Sequence, residues 1–302
     1  MAANFDMAAT YRHFVNVMQD SQNAAGSVPA KAPPYPPALY YNNDAGWTVG
    51  YPLVVDLLLQ RYNDTDSVRA HWPNLLKLWA NVTGTLPDGA GVASAGQYAG
   101  LWVDIDRDGK FVNGDLGDWA ASDDEWPFDV TKDSQPHTPS ALVSTFWLVQ
   151  FAESMSRFCR VLGEVPERFE RQAKASKVAL HSHFWNATGQ RYSTEGLEPP
   201  GSLSRFPRGH HAPPSQTLQS LPLYANITPA AQTPAALRAL LDSVRKTDYH
   251  LLSGIVGTKF ALPALAMHGS LDAAMKILTA CPAEIPHLGP CSVPRTLNTI
   301  GE

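Results

Sequence analysis

Apolar residues recur at three- and four-residue spacing along most of the chain, which is the period of an amphipathic helix. Phe5, Ala8, Ala9, Tyr11, Phe14, Val15 and Met18 share one such stripe and predict a helix over Phe5–Gln19. The same spacing predicts helices over Gly50–Tyr62, Val68–Asn81, Ser140–Leu162, Pro166–Trp185, Gln216–Tyr224, Pro234–Thr247, Thr258–His268 and Leu271–Thr279. Pro166 and Pro234 suit first-turn positions, where a missing N–H costs nothing, and Gly163 and Gly269 suit helix stops. Strand signal is confined to a short ribbon at Gln190–Ser193. Two irregular stretches separate helices: Gly26–Asn43, rich in Pro, Gly and Tyr, and residues 83–138, with Gly, Asp and Trp at their centre. No Gly/Ser linker and no internal repeat divides the chain, so residues 1–302 read as a single all-α domain. An α-solenoid would need a sequence period. Helical hairpins alternating with long loops predict instead an α/α toroid, with a pocket formed by the loops at one end.

Composition narrows the function. Of 302 residues 44% are apolar and 10% aromatic, ample for a sizeable core, while 17% are charged and the formal charge is −5. A disordered chain would be charge-rich and aromatic-poor, and a nucleic-acid binder would be basic. The longest apolar run, Leu53–Leu59, is interrupted by Asp56 and falls far short of the ~20 residues that span a bilayer. The 8 Trp, set among few charges, suit a flat, neutral, hydroxylated ligand such as a sugar. The 3 Cys (Cys159, Cys281, Cys291) show neither a disulfide framework nor zinc-ligand spacing. The N-terminus has no signal-peptide pattern and opens almost directly on a helix, as a truncated domain would. Asn-x-Thr acceptors at Asn63, Asn81, Asn186 and Asn226 point to a glycoprotein of the secretory pathway. Nothing in the sequence reads out an oligomeric state.

Gly114–Trp119 (GDLGDW) sets the Asp118 carboxylate, which could hold sugar hydroxyls, beside the Trp119 indole, which could cover a sugar's apolar face. The same residues also fit a Gly-rich turn whose Asp caps a helix. Asp104, Asp106 and Asp108, followed by Gly109 and by Asp115 at the twelfth position, match a calcium-loop pattern, though a solvated acidic turn fits as well. Asp123-Asp124-Glu125-Trp126-Pro127 lacks the last Asp of a DDxxD metal site. No H-E-x-x-H, G-x-S-x-G or Walker loop occurs, which leaves carboxylate chemistry.

Several stretches taken in order resemble the six-hairpin glycosidase domain of the α-L-rhamnosidases, glycoside hydrolase family 78. They are Asn4-Phe5-Asp6; Asp20, Gln22 and Gly26-Ser27-Val28-Pro29 ahead of Pro33; Gly46-Trp47; Gly117-Asp118-Trp119; Ser215-Gln216-Thr217; and His250–Thr258 (HLLSGIVGT). The resemblance implies an (α/α)6 barrel and, in complete relatives, inverting hydrolysis of terminal α-L-rhamnosides without a metal. Inversion needs a general acid and a general base with carboxyls roughly 6.5–9.5 Å apart. The family's acid-bearing segment would precede the first helix; the resemblance offers Glu302 as the general base, although Gly301 stands where the family has Trp and an incidental Glu fits as well. The resemblance therefore implies a domain short at both ends, with weak or no hydrolase activity. By position Trp47 and Trp119 are similar to the aromatic walls of the rhamnose subsite, and Gln216, Thr217 and His250 are expected to stabilise hairpin packing. The implied partner is a rhamnose-containing glycoside, with neither nucleic acid nor membrane. No cofactor is implied, beyond the structural calcium the acidic loop could take. The alternatives are a non-catalytic carbohydrate-binding domain and another α/α-barrel glycosidase, of the α-glucosidase or trehalase kind.

Overall fold

A computed structural model describes residues 5–34, 45–84, 89–92, 101–105, 111–112, 118, 140–193 and 216–280. Helices dominate, and they fall into two kinds. α3 (Gly50–Tyr62), α5 (Ser140–Leu162), α7 (Gln216–Tyr224) and α9 (Ile255–Met267) pack side by side in that order. Each is followed by an outer partner: α4 (Thr65–Thr83), α6 (Glu167–Phe184), α8 (Thr233–Lys246) and α10 (Leu271–Thr279). α1 (Ala8–Asp20) packs on α3 and α4, and the one-turn α2 (Ala45–Thr48) rests on α5.

The inner helices are apolar on most of their circumference, as packing on both sides requires. In α5, Leu142, Val143, Phe146, Trp147, Leu148, Val149, Phe151, Met155 and Phe158 are all buried. The outer helices keep one polar face, and α10 leaves Leu271, Met275 and Leu278 exposed. Edge-on aromatic contacts fill the joints. Trp79 of α4 meets Phe151 of α5 at 5.1 Å and Phe169 of α6 at 4.9 Å, and Phe146 of α5 meets Phe260 of α9 at 4.8 Å.

Loop lengths divide the molecule into two ends. Inner helices pass to their outer partners through two to eight residues: Asn63–Asp64, Gly163–Pro166, Ala225–Gln232 and His268–Ser270. Outer helices return to the next inner one through residues 84–139, 185–215 and 247–254, and α1 reaches α3 through 21–49. Short turns make each hairpin antiparallel, so the inner helices run alike, and the three longest connections (21–49, 84–139 and 185–215) collect at their N-terminal ends together with the eight-residue 247–254. Gly163 and Gly269 stop α5 and α9 with φ of 75° and 76°, the left-handed conformation that favours glycine.

Most helix bounds agree with the periodicity, and the exceptions have local causes. α4 begins at Thr65 because Asp64 caps it, accepting the Ser67 amide at 2.9 Å and the Ser67 hydroxyl at 2.8 Å. Pro166 is the cap residue of α6 and lies just outside it. α9 begins at Ile255, three residues earlier than predicted, and runs through Gly257.

The larger correction concerns strands. The stretch read as irregular contains an antiparallel sheet of β1 (Gly89–Val92), β2 (Trp102–Ile105) and β3 (Phe111–Val112) in that order. Gly89 pairs with Ile105, and Asp104 pairs with both Ala90 and Val112. β2 docks on α5: Leu101 and Trp102 are buried, and the Trp102 amide donates to Thr145 Oγ1 at 2.9 Å. The predicted ribbon is a hairpin of β4 (Trp185–Asn186) and β5 (Arg191–Tyr192). Gln219 of α7 extends that hairpin, accepting the Tyr192 amide at 3.1 Å and donating to its carbonyl at 2.7 Å. No helix among the described residues is long and apolar enough to cross a membrane.

Candidate functional site

The N-terminal ends of α3, α5, α7 and α9 form the face on which the long connections meet. Trp47 lies there, half-buried on α2, with Thr48 fully buried beside it. The approach to this position is a loop clasped to α4. Gln22 donates to the carbonyls of Gly26 and Asn74 at 2.8 and 2.9 Å, and Asn74 donates back to Gln22 at 2.7 Å. Gly26 has φ of 93°, and a Cβ there would lie 2.5 Å from the Lys77 carbonyl oxygen. Only glycine lets the loop approach so closely.

Asp118 forms the second clasp. It is fully buried, and its carboxylate takes four donors from two helices. Oδ1 accepts the amides of Val256 (3.0 Å) and Gly257 (2.9 Å). Oδ2 accepts the Gly254 amide (2.8 Å) and a short hydrogen bond from the Thr217 hydroxyl. A Cβ on Gly257 would strike Thr217 Oγ1 and lie 2.9 Å from Asp118 Oδ2. Gly257 of the HLLSGIVGT stretch thus makes room for a buried carboxylate that arrives from elsewhere in the chain. Gln216 holds the same stretch from behind: it donates to the His250 carbonyl (3.0 Å) and accepts the Leu252 amide (3.0 Å). Gln216, Thr217 and His250 are each engaged in hydrogen bonds within this joint.

The remaining predicted residues separate. Trp119, Asp106, Asp108, Asp115 and Glu302 lie outside the described residues, as do Cys281 and Cys291. Asp104 sits in strand β2, so the acidic loop is flanked by β2 and β3 where a calcium EF-hand has helices. Among the described residues no group of three or more His, Cys, Asp or Glu could hold a metal ion. The glycan acceptors are not equivalent. Asn63 and Asn226 are exposed at the short-turn end, each at positive φ (53° and 51°), and Asn186 is half-buried in β4. Asn81 is 7% exposed and donates to the Ala25 carbonyl at 3.2 Å, so of the four it is the most enclosed in the folded domain.

A second buried carboxylate escaped the sequence reading. Asp56 of α3 faces Arg157 of α5, with Nε–Oδ1 at 2.9 Å and Nη2–Oδ2 at 2.5 Å. Ser154 and Gln60 donate to the same Oδ2 at 3.2 and 2.6 Å. The signal was present in the sequence as the one charge inside Leu53–Leu59, a stretch otherwise apolar. A buried carboxylate in such a run requires a partner.

Inner helices each backed by an outer one, with the long loops gathered at one end, are the architecture of the helical-hairpin glycosidases. Residues 1–283 match the family model described as the bacterial alpha-L-rhamnosidase six-hairpin glycosidase domain, and the chain belongs to that family. Similar solved structures include the alpha-L-rhamnosidase of Dictyoglumus thermophilum, with 25% identity and TM-score 0.68 over 91% of this chain and 26% of that one. The Streptomyces avermitilis alpha-L-rhamnosidase complexed with L-rhamnose aligns at 20% identity and TM-score 0.65, over 91% and 22% of the two chains. The Aspergillus terreus enzyme aligns at 19% identity and TM-score 0.67, over 94% and 28%. The chain thus spans about a quarter of the length of these relatives. No curated protein sequence matches it.

Proposed function

We propose that this chain is the sugar-binding part of an α-L-rhamnosidase-type (α/α)6 glycosidase domain, recognising a terminal α-L-rhamnosyl group with little or no hydrolysis as it stands. The observation that carries the reading is the convergence of the long loops and Trp47 on the N-terminal end of the inner helices, in a chain of this family. An indole wall gains from burying the C–H face and methyl group of a deoxy sugar while remaining indifferent to hydroxyl order. The expectation of weak or absent turnover agrees with how the buried carboxylates are engaged among the described residues. Inverting hydrolysis needs one carboxyl to give a proton and another to take one from water. Asp118 is saturated by four donors, Asp56 is closed by a guanidinium, and Asp64 is tied to Ser67 and to Arg12 at 2.6 Å.

The test is direct. The purified chain should quench its tryptophan fluorescence with L-rhamnose and not with D-glucose or D-mannose, and Trp47→Ala should weaken rhamnose binding about tenfold. An aryl α-L-rhamnoside should be turned over slowly or not at all. Turnover at the rate of a complete family enzyme would refute the inactive half of the reading, and equal response to all three sugars would refute the rhamnose half.

A further inference from the structure

We infer that Asp118 is a positioning residue: it anchors the 84–139 connection to the N-terminal ends of α7 and α9, so that sugar affinity at this face depends on a carboxylate that does not touch the sugar. The inference rests on the rhamnoside-binding reading for its ligand, and on the clasp geometry alone for the anchor.

An ionised carboxylate offers about four lone-pair directions. All four are spent on protein: the cap amide of Gly254, two amides of α9's first turn and the Thr217 hydroxyl of α7. A sugar hydroxyl could reach Asp118 only by displacing one of these donors, which would leave it unpaired in a fully buried position. The donors themselves identify the task. The first amides of a helix lack partners within it, and a side chain at the cap ordinarily supplies one. The cap residue of α9 is Gly254, which has no side chain, and its place is taken by a carboxylate 136 residues earlier in the chain. Negative charge is favoured at that helix end. The helix gains a cap, and the longest connection in the molecule gains a fixed point.

That connection has a second fixed point, the Trp102 amide on Thr145 of α5. One tie is to α5, the other to α7 and α9. Loss of the Asp118 tie releases the connection from α7 and α9 at that point while leaving the helices' own packing in place. Gly257 marks how closely the tie is fitted, since even a methyl group there would collide with both Thr217 and Asp118.

Asp118→Asn is the informative variant, because an amide nitrogen cannot accept from the Gly254 N–H. Thr217→Ser, which keeps the hydroxyl, serves as the conservative rescue. Three readouts on the whole chain separate the possibilities: hydrogen exchange in peptides covering 101–118 and 250–262, thermal unfolding, and L-rhamnose affinity. The expected result for Asp118→Asn is faster exchange in both peptides and about tenfold weaker rhamnose binding, the size of losing part of a buried hydrogen-bond set. Thr217→Ser should stay near wild type throughout. Should Asp118→Asn fail to fold, Thr217→Val removes a single donor and should move the same readouts in the same direction. Faster exchange confined to 250–262, with rhamnose affinity unchanged within twofold, would overturn the proposal and leave Asp118 a helix cap only. A wild-type chain that binds no L-rhamnose would refute the rhamnoside reading instead. The anchor would then stand or fall on whether 101–118 is released together with 250–262.

Discussion

Two buried carboxylates tie this domain together, and they do so by different physics. Asp56, 5% exposed, joins neighbouring inner helices side by side through a two-pronged ion pair with Arg157. Asp118, 0% exposed, joins a connection to helix ends through uncharged donors, three of them backbone amides. The guanidinium belongs to a side chain and can be removed along with its partner. The amides at the start of α9 cannot be removed, and without the carboxylate they stay buried and unpaired. A tie between staves of the wall is therefore replaceable by apolar packing, whereas a tie to the end of a stave is not.

The largest effect should come from making the same apolar replacement at both sites. Asp118→Leu with Thr217→Val leaves three amides unpaired and should cost about 4 kcal/mol, with no recovery relative to Asp118→Leu alone. At the other site Arg157→Met alone strands the Asp56 charge and should cost about 3 kcal/mol, toward the low end for a buried pair because the Arg157 side chain is partly exposed. Adding Asp56→Leu should then restore stability to within about 1 kcal/mol of wild type. Urea unfolding of the four variants measures all of this. Equal recovery at both sites would erase the distinction between them.

The same contrast explains how much the sequence could tell. Helices whose apolar stripe runs end to end were legible to the residue: Gly50–Tyr62, Ser140–Leu162, Gln216–Tyr224 and Leu271–Thr279. The sheet of β1, β2 and β3 was not. Its strands are two to four residues long, and β1 (GAGV) has almost no side chain with which to alternate. Asp118 invited a local reading, as a sugar ligand or as a cap on the residues that follow it. Its actual partners are 99 to 139 residues away, and no periodicity encodes a contact at that separation. What the sequence did contain was the other half of the clasp, Thr217 and the spacing of Gly254 and Gly257. The glycan acceptors teach the converse: the motif is the same at Asn63 and Asn81, yet one stands on an exposed turn and the other is packed against Ala25. Burial, which the motif does not carry, distinguishes them.

A third buried contact sharpens the comparison because it carries no net charge. Tyr51 of α3 and His71 of α4 share a hydrogen bond of 2.7 Å with their rings edge to face. Burial pushes the Tyr51 hydroxyl well above its ordinary value, so it keeps its proton. Burial also lowers the His71 imidazole below 6.5, with Asp64 and Asp20 opposing that shift. His181 and His183 are lowered by burial as well, His181 against a raising interaction with the Gln232 side chain. The unfolded chain therefore takes up protons that the native chain refuses once pH falls toward 6.5 and below, and stability must decline there. Asp64 does not contribute in this range. Burial raises its carboxyl, but the Ser67 and Arg12 contacts outweigh that and lower it, so its contribution is present above the ordinary carboxylate range and lost only as pH falls through its depressed value. Between pH 7.5 and 5 the melting temperature should accordingly fall with the three histidines alone among these groups. His71→Gln should make the decline shallower without abolishing it, since His181 and His183 still titrate. A decline of unchanged steepness in His71→Gln would show that the Tyr51–His71 contact accepts the charge, and that the two carboxylate ties are not the only joints in this domain able to hold one.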